Sequence, residues 1–272
     1  MKKEYLISVD LEGIHGIVGE AYDGLHTGVK DYDKAIENAT KEINAVVKGL
    51  YDGGADRVAV WDSHWKGQNL DFSKIDSRVV RVENQPGVRY ERLSFAKDFS
   101  FCGMLFVGYH AREGSLNGVL AHSYTSVGIQ YYKVNGRAVG EIEIDAWVAA
   151  EHGIPSLFCS SDDVCISQAL AVEPQMRTVV TKYGKGRNEA VYRDEETVIS
   201  EMYEQAVACT RLNIQPKKLS FPAILEVRYT RTEDAKKRLE MVSKFGLRAE
   251  YGEDAHIIVS TLESIVDLES FI

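Results

Sequence analysis

A chain of 272 residues with 44% hydrophobic and 27% charged side chains has an ordinary globular composition, long enough for one large α/β domain or a domain with a smaller partner. Its 41 acids against 32 bases leave a formal charge of -9 with no basic stripe, which argues against nucleic acid as a partner because phosphate neutralisation needs a local surplus of Lys and Arg. No apolar run approaches the roughly 20 residues that span a bilayer, and the start MKKEYLISVDLEG lacks a long hydrophobic region and a small-residue cleavage site, so a cytoplasmic protein without membrane contact is expected.

In chain order, residues 5–9 (YLISV) read as a buried strand followed at once by two acids, Asp10 and Glu12. Apolar residues then recur at helical spacing through Ala35, Ile36, Ala39, Ile43, Val46, Val47 and Leu50 until Gly53 and Gly54 stop them. RVAVWDSH reads as a second strand, so residues 5–61 predict a β-α-β unit with parallel strands. Further buried strands are expected at residues 104–110 (MLFVGYH) and 155–163 (PSLFCSSDD). Between them, Asn135-Gly136 flanked by strand formers marks a hairpin, and EIEIDAWVAAEHG reads as a helix ended by Gly153.

From about Thr181 the pattern changes to a loop, a long helix, a strand at LSFPAILEVRYT, a helix at TEDAKKRLEMVSKF and a final segment HIIVSTLESIVDLESFI. The expected architecture is α/β: a mostly parallel sheet core with an inserted β-hairpin in residues 1–185, and a smaller α+β portion in residues 186–272. Cys102, Cys159, Cys165 and Cys209 lack disulfide or metal spacing and read as buried free thiols.

Ligands of open α/β sheets sit beyond the carboxyl ends of the strands. The polar residues that follow the expected strands form a short list: Asp10 and Glu12, Asp62 and His64, His110, then Asp162 and Asp163. Carboxylates and imidazoles from three separate strand ends make a mixed N/O ligand set, which suits zinc, with manganese, cobalt or iron as further possibilities. One Asp can also bridge two metals about 3.5–4 Å apart. Taken singly, these residues have plainer readings: an acid after a strand is commonly a helix N-cap, and a lone strand-end His a satisfied structural residue. Convergence at three strand ends favours the metal reading.

These residues resemble the D-aminopeptidases of the dipeptide-transport operon type, a family of dinuclear zinc metallopeptidases. SVDLEGIHG, VAVWDSHWKGQNL, FVGYHAREGSLNGVLAHS and VNGRAVGEIEIDAWVAAEHGIP carry the resemblance in order, from residue 5 to about 165. It implies that Asp10 bridges two zinc ions, that Glu12 and His110 complete one and His64 and Glu141 the other, and that His122 is catalytic. Before the resemblance, Glu141 reads only as an acid favoured in a first helical turn. His15 sits where the family usually has a small or polar residue and is a candidate substrate contact.

The implied activity is hydrolysis of the N-terminal peptide bond of short peptides, with D-amino acids, through a hydroxide bridging the two zinc ions. His122 would donate a proton to the leaving amine or stabilise the oxyanion. Asp145, Asp162 and Asp163 are candidates for recognising the α-amino group. The family also implies a homo-oligomer, possibly a ring such as a decamer. Two other functions compete: a metal-dependent phosphoesterase, which requires oxygen ligation and a phosphate cradle, and a non-catalytic peptide or amino-acid binding protein with structural metals.

Overall fold

The computed structural model describes residues 2–21, 24–85, 87, 89 and 91–272. Its centre is β1 (Glu4–Val9), buried along its whole length. A parallel strand covered on both faces needs an unbroken apolar run, and YLISV supplies one. β1 pairs in parallel with β2 (Arg57–Asp62) on one side and β4 (Phe101–Val107) on the other. Among the described residues the larger sheet is completed by β3 (Val80–Val82), β7 (Ser156–Asp162), β8 (Arg177–Gly186) and β9 (Glu189–Tyr192), in the order β3-β2-β1-β4-β7-β8-β9. Only the β8–β9 pairing is antiparallel in this sheet.

Alternate residues of each central strand enter different cores. Tyr5, Ile7 and Val9 pack with Val58, Val60, Leu105 and Val107 against α1 (Tyr32–Asp52) and α4 (Glu195–Cys209). Leu6, Ala59, Met104 and Phe106 face a second core, shared with α2 (Glu141–Glu151), α3 (Asp163–Val172) and a second sheet. That five-stranded antiparallel sheet has the order β11-β12-β10-β5-β6, with β5 (Ile129–Val134), β6 (Arg137–Val139), β10 (Ala223–Tyr229), β11 (Ala249–Tyr251) and β12 (Ile257–Leu262). α5 (Thr232–Lys244) and α6 (Ile265–Glu269) complete the chain.

The Asn135-Gly136 hairpin forms as the residue types demand, with φ of 51° and 78°. It does not insert into the parallel sheet; β5 pairs with β10, so the second sheet draws strands from both sides of residue 185. The segment expected as a loop near residue 185 is the β8–β9 hairpin, whose glycines and charges conceal a strand lying at the sheet edge. All four cysteines are free, and Cys102 is exposed while Cys159, Cys165 and Cys209 are buried.

Candidate metal centre

Strand order brings the carboxyl ends of β2, β1 and β4 side by side. The loops that follow them also touch through backbone. Gly13 N donates to Gly108 O at 2.7 Å, and a Cβ at Gly13 would stand 2.0 Å from Tyr109 O, so glycine is required for the approach. This contact sets Asp10 and Glu12 against His110, while the β2 end delivers His64. The β5–β6 hairpin hands the chain to α2, whose first residue is Glu141, and the segment between β4 and β5 supplies His122.

All six side chains line one cavity of about 240 Å³. His64 Nδ1 lies 2.8 Å from Asp10 Oδ1 and 3.3 Å from Glu12 Oε2. His110 Nε2 lies 3.4 Å from Asp10 Oδ2 and 3.0 Å from Glu141 Oε1. Asp10 therefore turns one oxygen to His64 and the other to His110. His122 stacks on His110, with ring centres 3.9 Å apart and planes 7° from parallel, and its Nε2 is 3.9 Å from Glu141 Oε1. The separations group Glu12 with His64 and Glu141 with His110, a pairing different from the one the resemblance implies.

The outer nitrogen of every imidazole faces a backbone carbonyl: His64 Nε2 to Leu25 O at 2.6 Å, His110 Nδ1 to Ala111 O at 3.0 Å, and His122 Nδ1 to Leu120 O at 2.8 Å. A carbonyl only accepts, so these nitrogens carry hydrogen, and each ring presents its other nitrogen to the carboxylates. Asp10 Oδ2 and Glu12 Oε2 are buried and accept no hydrogen bond. Each faces an imidazole nitrogen at 3.3–3.4 Å, a loose contact for a buried carboxylate oxygen, and a divalent cation would satisfy them more fully. Two groups could hold one: Asp10 with Glu12 and His64, and His110 with His122 and Glu141.

Charge balance in the cage points the same way. Burial lowers the affinity of His64 for a proton, yet Glu12 and Asp10 outweigh it and hold the ring well above its ordinary pKa. His110, equally buried, is raised to about 10 by Glu141 and Asp10. Glu141 is brought down to about 2, burial being overcome by His110. Glu12 is held well below the carboxylate range against burial by His64, and Asp10 is pushed up to about 7 by burial and by the charge of Glu12. His122 is depressed to about 4 by burial and by His110. Protons on two imidazoles thus occupy positions that a cation would take, and metal binding would release them.

Other residues singled out from the sequence have structural work. Asp62 accepts from Asn69 N at 2.6 Å, Leu70 N at 3.0 Å and Asn69 Nδ2 at 3.0 Å, closing the turn behind His64. Asp162 is the N-cap of α3 and also accepts from Val119 N, while Asp163 accepts from Gly184 N. Asp145 pairs with Arg92 at 2.6 Å and accepts from Tyr109 OH at 2.6 Å. His15 Nε2 lies 2.8 Å from Arg193 O. None of these five lines the cavity. Sequence reading had no signal for Lys182, whose buried ammonium donates to the carbonyls of Glu12, Ile14 and Ile17 at 2.6, 2.8 and 2.7 Å.

An α/β protein with a carboxylate–imidazole cage across adjacent strand tips is the class that fold and site define. The chain belongs to the D-aminopeptidase family, whose profile matches residues 3–248. It is 32% identical over 178 residues to a D-aminopeptidase of Bacillus subtilis (strain 168), a match covering 65% of this chain and 62% of that relative's length. Its fold is that of the Zn-dependent D-aminopeptidase DppA from Bacillus subtilis, described as a self-compartmentalizing protease: the TM-score is 0.85 at 22% identity, over 98% of this chain and 94% of the other.

Proposed function

We propose that the chain is a metal-dependent aminopeptidase that removes the N-terminal residue of short peptides, with D-amino acids as its substrates, and that it holds two zinc ions. The observation that carries this reading is the set of three imidazoles, each tied at its outer nitrogen to a carbonyl and each aimed at buried carboxylates. Asp10 would bridge the ions, with Glu12 and His64 completing one and His110 and Glu141 the other. Membership of the D-aminopeptidase family supports the activity, and the zinc dependence ascribed to DppA supports the metal. When bound, the metal pair supplies Lewis-acid polarisation of the scissile carbonyl and lowers the pKa of water toward neutrality.

The remaining work falls to the chain. His64 and His110 each approach two carboxylates, whereas His122 has Glu141 alone, at 3.9 Å. His122 is therefore the imidazole to spare for substrate. Leu120 O fixes Nδ1–H, so on the neutral ring Nε2 presents a lone pair that can take a proton from the attacking water and then pass it to the leaving amine. Tyr124 N donates to Glu141 Oε1 at 2.7 Å and orients that carboxylate. Leu25, Trp65 and Tyr124 wall the cavity. Among the described residues lining it there is no Lys or Arg, so no phosphate cradle favours the phosphoesterase reading.

The enzyme would act as a homo-oligomer in the cytoplasm, in a ring such as a decamer; the self-compartmentalizing character ascribed to DppA supports assembly. Among the described residues no helix is long and apolar enough to cross a membrane. The deciding experiment is elemental analysis of wild type and Asp10→Ala after zinc equilibration, alongside assays with D- and L-aminoacyl peptides. About two metals per chain, lost together with activity in the variant, is the expected result. One or none in wild type would overturn the dinuclear reading.

A further inference from the structure

The turn after β2 is held firmly. Besides the three bonds to the Asp62 carboxylate, Gly67 N donates to His64 O at 2.9 Å, Asn69 Nδ2 donates to the same oxygen at 2.8 Å, and Tyr32 OH donates to Asn69 Oδ1 at 2.7 Å. This braced turn presents Trp65 with a φ of 48° and 67% exposure. A bulky residue in the left-handed region is disfavoured, and such strain collects at ligand-binding sites. An exposed indole likewise forgoes the burial that its size would reward.

Trp65 and Ser63 line both the metal-centre cavity and a second cavity of about 430 Å³. Chemistry differs in the second space, where Lys66, Gln68, Glu83 and Asn84 replace the imidazoles. Lys66 Nζ stands 4.5 Å from the centre of the Trp65 ring, at the border. Asn84 Oδ1 is buried and accepts no hydrogen bond. Among the described residues the acids lining this space are Asp62, whose carboxylate is taken up by the turn, and Glu83, which is paired with Arg81. An ammonium, two side-chain amides and a flat aromatic face are complementary to a peptide's N–H groups, carbonyls and terminal carboxylate.

We propose that this second cavity receives the leaving portion of the substrate peptide, with Trp65 packed on its backbone and Lys66 paired with its free α-carboxylate. The proposal rests on the aminopeptidase reading and extends it to substrate class. Removal of one N-terminal residue leaves a single residue on the amino side of the scissile bond, whereas the leaving side runs on. The larger cavity, which shares Ser63 and Trp65 with the metal-centre cavity, suits the side that runs on.

The test compares tri-D-alanine with its C-terminal amide, using wild type, Lys66→Ala and Trp65→Ala. Calorimetric binding of the same two peptides is measured in the His122→Ala background, and the sedimentation and metal content of each variant are recorded. Wild type is expected to prefer the acid. Lys66→Ala should raise KM for the acid about three- to fivefold, the range of an exposed ion pair, and erase the acid-over-amide preference. Trp65→Ala should raise KM for both peptides about tenfold, as loss of an aromatic anchor does, with metal content retained. Equal handling of acid and amide by wild type and Lys66→Ala would overturn the proposal. So would a Trp65→Ala variant that changes assembly and not KM. If wild type cleaves no peptide, the aminopeptidase reading fails by itself, and Lys66-dependent preference in the binding experiment still decides the subsite.

Discussion

The loop that follows β1 faces a cation position on each of its two sides, and the two are built differently. On its backbone side, the carbonyls of Glu12, Ile14 and Ile17 enclose the Lys182 ammonium, using all three of its protons. On its side-chain side, Asp10 Oδ2 and Glu12 Oε2 are buried and accept no hydrogen bond, opposite the nitrogens of His110 and His64. The first position is closed by a charge that the chain carries itself. The second, on the proposed reading, would take a charge from outside. Saturation of the polar groups, more than their burial or number, separates a structural cluster from a ligand site.

Beyond the joint loss of metal and activity expected for Asp10→Ala, the largest effect should come from His122. His122→Ala is expected to keep its metal and lose about 10²- to 10⁴-fold in kcat, the usual contribution of a positioned acid or base. Because His122 also stands within ligand distance of His110 and Glu141, elemental analysis of the variant sharpens the contrast. Loss of one metal would make His122 a ligand and move the catalytic role elsewhere. On the closed side, Lys182→Met would leave three buried carbonyls unpaired and should lower unfolding stability by about 3–5 kcal/mol in urea titrations. Stability within 1 kcal/mol of wild type would mean that water or another donor serves those carbonyls equally well.

Strand ends were legible because parallel strands buried on both faces are written as unbroken apolar runs, and sheet order then makes β2, β1 and β4 neighbours. Asp10, Glu12, His64 and His110 could be listed on that basis. The same rule also listed Asp62 and Asp162, which fasten turns; only their hydrogen-bond partners tell them apart from candidate ligands. Glu141 was illegible to pattern reading, since its arrival depends on β5 pairing with β10 about ninety residues away in sequence, and only the family resemblance marked it. The grouping of side chains within the cage depends on sub-ångström placement, which no spacing encodes. Lys182 was hidden for a simpler reason: lysine reads as an exposed residue, and nothing local announces that this one points inward.

Glu42 tests whether an unpaired oxygen is enough to make a cation site. Its carboxylate is buried, with Oε1 accepting from His15 N at 2.7 Å and Oε2 accepting nothing, yet it belongs to neither metal-capable group. Burial raises its pKa to about 8, so its solution to the orphaned oxygen is a proton. The unfolded chain releases that proton near 4.5, whereas the folded chain retains it up to about 8. Between these values the folded state binds more protons, and stability must fall as pH rises. Glu42→Gln, neutral throughout, lacks this dependence. Relative to wild type it should gain at least about 2 kcal/mol between pH 4.5 and pH 8, read from urea titrations at several pH values. A flat difference across that range would mean that Glu42 stays ionised in the folded chain, its charge balanced by the nearby Lys182 ammonium.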